Sequence, residues 1–133
     1  MKWLETKSPS LNEFEAIAEN AFAQLPQEFR DLCKGVVIQI TDFPDDDVLK
    51  ELEAETPFDL LGLFTGIGHA QSGATPFTGQ PPNMIFLYRR PILDYWAEHD
   101  ETLGHVIRHV LIHEIGHQVG LSDDDMERIE ALA

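Results

Sequence analysis

Residues 105–125 read HVIRHVLIHEIGHQVGLSDDD, in which His105, His109, His113 and His117 recur at every fourth position and Asp123, Asp124 and Asp125 follow a Gly-Leu-Ser step. Imidazole nitrogens and carboxylate oxygens are the donors that zinc takes. Such a row can be a metal site, a pH-sensitive face or a coincidence of composition, and helix geometry separates its members.

His113-Glu114-Ile115-Gly116-His117 is an HExxH pattern. Residues four apart on a helix lie ~40° apart around the axis and ~6 Å along it. Their imidazoles can therefore converge on one ion at ~2.0–2.1 Å. Glu114 is turned ~100° from His113, which lets its carboxylate reach the ion's edge and take a proton from a metal-activated water. The plainer alternative is a surface helix with two solvated histidines. Ile112, Ile115 and Val119 around the pattern argue against it, because burying unpartnered polar groups is costly. Gly120 suits the left-handed position that ends a helix. Leu121 and Ser122 then lead back to Asp123, ten residues after His113, at the register of a third ligand. The string becomes HExxHxxGxxD.

The remaining candidates carry less. His105 stands ~18 Å along the axis from His117 and ~120° around it, so it cannot share that ion. His109 lies ~6 Å before His113 and ~12 Å before His117, too far for three histidines of one straight helix to hold one ion. A place beside the ligands or on a cleft rim stays open for it, with packing or solvent exposure the plainer reading. Asp124 and Asp125 compete with Asp123 for the third position, but a helix first turn capped by Ser122 accounts for them. His69, Tyr88 and Tyr95 are candidates for a substrate-side or oxyanion-stabilising group, against ordinary loop and core roles.

The elements that must position these residues can be read from periodicity and punctuation. Leu11, Phe14, Ile17, Ala18 and Phe22 predict a helix over residues 10–24, with Ser10 and Glu13 as a capping box and Pro26 after it. Short apolar runs predict strands over 35–41, 60–66 and 84–88. The aspartates of 42–47 form a turn leading into a helix over 48–55; the run lacks the glycine and distal glutamate of a calcium loop. The Gly/Pro-rich stretch 67–83 is a long loop, a type often functional. A short helix follows over 91–99, then the main helix over 101–119, apolar around most of its circumference and hence buried mid-domain. A last helix spans 123–132. The alternation gives one small mixed α/β or α+β domain.

Composition bounds the function. At 133 residues, 43% hydrophobic and 25% charged, the chain suits one globular domain, 1–133, that folds without a disulfide or metal staple. The single cysteine, Cys33, excludes an internal disulfide and reads as a buried small residue. Nine Lys+Arg against 24 Asp+Glu give a net charge of −15, which opposes nucleic-acid and anionic-membrane partners. A preference for basic partners is the functional reading of that charge, and solubility is the plainer one. No apolar run of membrane-spanning length exists and no signal-peptide pattern opens the chain, so the expected compartment is the cytoplasm.

HEIGHQVGLSDDD resembles the metzincin-type extended zinc motif, with aspartate in place of the usual third histidine. The chain as a whole resembles the small bacterial zincin-like metallopeptidases, cytoplasmic single-domain proteins with an HExxHxxG-[LI]-x-D segment near the C-terminus. The likeness in layout covers most of the chain, including IFLYRRPI before the motif helix, while specific motif residues lie in the C-terminal third. It implies an α+β minimal zincin domain: a short mixed sheet, a central buried active-site helix and helices at both ends. It further implies a Zn²⁺ ion on His113, His117 and Asp123, with Glu114 as general base for peptide-bond hydrolysis of a peptide or protein substrate. Metzincins also place a methionine turn well downstream; here only ten residues follow Asp123, and Met126 reads as a helix-packing residue. The rival to hydrolysis is a non-catalytic metal- or partner-binding module on the same scaffold.

Overall fold

Ser10 opens the first long helix through a complete capping box. Its hydroxyl accepts from Glu13 N–H at 3.1 Å, and the Glu13 carboxylate accepts from Ser10 N–H at 2.8 Å. The computed structural model describes residues 1–66 and 83–132, so His69 and loop residues 67–82 lie outside the described residues. A 3-10 turn at Lys2–Glu5 precedes helix α1, Leu11–Ala23, and a short α2, Gln27–Asp31, follows Pro26. Strand β1 is Val37–Thr41, α3 is Asp46–Glu51, and β2 is Gly62–Thr65. Strand β3, Met84–Tyr88, runs directly into α4, Arg89–Glu98. Helices α5, Leu103–Gln118, and α6, Asp123–Leu132, complete the chain. Every element expected from periodicity is present. The differences are at ends: α3 starts at Asp46 because its acidic residues occupy the first turn, and α5 starts only after Thr102, whose hydroxyl accepts from His105 N–H at 3.1 Å.

The sheet order is β1-β3-β2, with β1 parallel and β2 antiparallel to β3. The mixed sheet with flanking helices makes this an α+β domain, compatible with a zincin-like fold. Among the described residues β3 is paired on both sides, whereas β2 is paired on one side alone. Ile38 and Ile40 of β1 and Ile85 and Leu87 of β3 are buried in one core with Phe14 and Ala18 of α1. The sequence reading of α5 as a mid-domain helix holds. Val106, Ile107, Val110, Leu111, Ile112, Ile115 and Gly116 are all buried, and α5 touches α1, α4, α6, β2 and β3. Cys33 is buried, and desolvation pushes its thiol up to about 11, which leaves it an inert core residue. Among the described residues no helix is long and apolar enough to cross a membrane.

The join between α5 and α6 sets the geometry of everything after His117. Gly120 sits at φ +83°, Leu121 N–H donates to Gly116 C=O at 2.9 Å, and Gly120 N–H donates to His117 C=O at 3.3 Å. Those two bonds and the left-handed residue are a Schellman stop. Ser122 then caps α6, accepting from Asp125 N–H at 3.1 Å while Asp125 accepts from Ser122 N–H at 3.3 Å. The reversal brings Met126, fully buried, onto Gly116.

A Cβ at residue 116 would lie 2.5 Å from Met126 Sδ and 2.9 Å from its Cγ. Gly116→Ala is therefore expected to lose about 1–3 kcal/mol in urea denaturation. Combined with Met126→Ala, which empties the same space, it should cost less than the sum of the two single changes. Strict additivity would show that the two residues do not contact each other.

Candidate metal centre

The histidines of α5 occupy the border of its buried face, and the hairpin lays α6 alongside them. Neighbouring rings are in sequence along the row: His109 and His113 have centroids 4.1 Å apart, His113 and His117 5.9 Å apart. Asp123 and Glu130 are seven residues apart on α6, so they share a face within ~20°. Each approaches a different part of the row. Asp123 Oδ1 is 3.9 Å from His117 Nε2, at the open end where their side chains are 91% and 62% exposed. Glu130 Oε1 lies 3.4 Å from His113 Nε2 and 2.5 Å from His109 Nδ1. Donor atoms of His109, His113 and Glu130 all fall within 4.8 Å of one another, whereas His113, His117 and Asp123 form no group that tight.

Glu130 was not singled out by sequence reading. The signal was available in the seven-residue spacing from Asp123, but it acquires meaning only once α6 is known to fold back along α5. His109, read as a packed or solvent-facing residue, is half-exposed and in contact with Glu130. Asp125 is spoken for by the Ser122 cap and by Arg128 at 2.6 Å, and these hydrogen bonds hold its carboxyl below the ordinary value. His105 pairs with Glu101 at 2.9 Å and with Arg108 at 2.9 Å, away from the rest of the row. Tyr95 stacks on His99, with ring centroids 3.8 Å apart.

Glu114 faces a different neighbour. It is half-buried under β2, with the Phe64 backbone amide near enough to its carboxylate to oppose part of the shift that burial causes. Burial raises its pKa above the ordinary 4.5, against smaller opposing effects of His117 and that amide. Gly62 makes this approach feasible: a Cβ there would stand 2.9 Å from Val110 Cγ1, 3.0 Å from the Phe86 carbonyl oxygen and 3.4 Å from Glu114 Cγ. Tyr88 is buried nearby; desolvation, then the charges of Asp45 and Glu114, push its hydroxyl up to about 12.

The donor set fits a zinc ion. Burial, and next the neighbouring His109, lower the pKa of His113, so its ring is neutral at neutral pH with a lone pair free to ligate. Glu130 Oε1 is sealed from solvent yet out of hydrogen-bonding alignment with any partner, despite its closeness to His109. A carboxylate oxygen in that state needs a cation or an aligned donor.

Compared with known families, residues 33–132 match a family model described as zincin-like metallopeptidase. No curated protein matches the chain.

The raised Glu114 pKa has a thermodynamic sign. Above ~pH 4.5 the unfolded carboxyl loses its proton first, so the native state holds more protons and stability falls as pH rises through the native value. In chelator-treated protein, Glu114→Gln should gain stability relative to wild type as pH rises from below the ordinary carboxyl value of 4.5 to above the raised native one, in paired urea melts. A difference that is constant across that interval would contradict desolvation of Glu114.

Proposed function

The chain belongs to the zincin-like metallopeptidase family, and from that premise we propose that it is a zinc-dependent peptidase with His113, His117 and Asp123 as metal ligands and Glu114 as general base. The observation that carries the reading is the setting of Glu114. It shares the HExxH helix with both histidines, is close enough to His117 for that ring to act on its pKa, and is half-buried against strand β2 at Gly62 and Phe64.

When bound, zinc supplies Lewis-acid polarisation of the scissile carbonyl and of the attacking water. Glu114 takes the water's proton and returns it to the departing amine nitrogen. Its burial suits this task, because a carboxylate lifted toward neutral pH is both a stronger base and a better acid in the return step. Strand β2 guides the substrate: a peptide lying extended along its outer edge pairs with backbone groups that no described strand uses. The net charge of −15, with Asp123 and Asp124 exposed beside the site, favours peptides carrying basic residues.

Glu114→Gln is expected to keep its zinc while hydrolysis of a basic-residue peptide library falls by about 10²-fold or more. Equal turnover by that variant would end the general-base assignment. Asp123→Ala should lower zinc content measured after dialysis, and undiminished content would remove Asp123 from the ligand set.

A further inference from the structure

We propose that His109, His113 and Glu130 form a second position for a divalent transition-metal ion, one helical turn back along α5 from His117 and sharing His113 with the catalytic set. The position itself stands on the geometry of these three residues. Its effect on catalysis rests on the peptidase reading above.

Two ligands of one tetrahedral ion at ~2.0–2.1 Å stand about 3.3 Å apart, and His113 Nε2 to Glu130 Oε1 is 3.4 Å. His109 Nδ1 is closer to that oxygen, at 2.5 Å, and its half-exposed ring has room to withdraw as an ion enters between them. Glu130 Oε1, shielded from water and without an aligned donor, supplies the negative charge that an ion would neutralise. Two imidazoles and one carboxylate suit zinc, cobalt or nickel and are a poor set for magnesium or calcium, which prefer oxygen. Solvent reaches the position past His109, 44% exposed, so an entry path exists.

The two rows of the α5–α6 hairpin thus offer two rungs: His117 with Asp123 at the open end, His109 with Glu130 about two turns inward. His113 stands between them and belongs to both. The Nε2 that faces Glu130 has a single lone pair, so an ion held on the inner rung withdraws His113 from the outer one. Binding is then mutually exclusive, with one ion per chain in either place. For one kind of metal the ratio between the rungs is set by their relative affinities and does not change with metal concentration. It changes with the metal's identity and with the residues of either rung.

Cobalt(II), followed by its visible d–d absorption and by equilibrium dialysis, tests this in the folded full-length chain. The outer-rung side chains removed are exposed, so His117→Ala/Asp123→Ala is expected to keep its far-UV circular dichroism and to retain one equivalent of cobalt. Adding His109→Ala to that variant, or separately Glu130→Gln, should abolish the absorption. His109→Ala alone should leave one equivalent bound and raise peptidase turnover per bound ion. No cobalt in the double variant, or cobalt that persists after His109 is removed, overturns the inner position. Two equivalents in the wild type overturn mutual exclusion. If His109→Ala alone strips all the metal while His117→Ala/Asp123→Ala keeps it, the inner position stands and the outer ligand set falls.

Discussion

A helix that is to serve as both core and active site must divide its circumference, because polar groups left unpartnered in the interior cost more than apolar packing returns. In α5 the division is strict. Val106, Ile107, Val110, Leu111, Ile112 and Ile115 face the sheet and α1, while the histidines stay at the border, and none of the described buried residues is polar or charged. Neighbouring structure follows from that division. The sheet covers the apolar side, β2 comes over Glu114 through Gly62, and α6 must close the remaining side without burying the row of imidazoles.

Closing that side takes two small features. Gly120 reverses the chain within a few residues, and Gly116 allows Met126 to lie directly on α5. Met126 thereby packs on the motif helix at the level of the two HExxH histidines. Met126 is thus the helix-packing residue that its sequence position suggested, three residues after Asp123 and buried against Gly116. The same close packing aligns Asp123 and Glu130 with the histidine row, so carboxylates reach it from across the hairpin.

Sequence reading recovered these elements because the punctuation is local: Ser10 with Glu13, Pro26, Gly120 and Ser122 each act within a turn of where they stand. The HExxH pair and Glu114 were legible for the same reason, since helix periodicity alone fixes their relative directions. Glu130 and the contact of His109 with it were not, because they depend on how closely α6 returns along α5, and that distance is set by Met126 against a glycine ten residues earlier. The geometric argument that His109 cannot join His113 and His117 on one ion is sound; what it omitted was a donor from another helix. The central place of β3 in the sheet likewise required the strand order, which the short apolar runs could not supply.

The core described here is complete without any of the histidines or carboxylates of the hairpin. If the proposed ligands hold an ion, folding and metal loading would therefore be separable events in the life of this chain. The apolar interior can assemble first, on a timescale set by its topology, and present finished donors to solvent at the mouth near His117 and Asp123. How much of the protein carries an ion then reflects supply, exchange and competition from other chelators in its surroundings. A chain whose ligands were part of the core would instead have its metal state decided once, at folding; on the proposed ligand set, this one would gain, lose or trade its ion many times while remaining the same folded object.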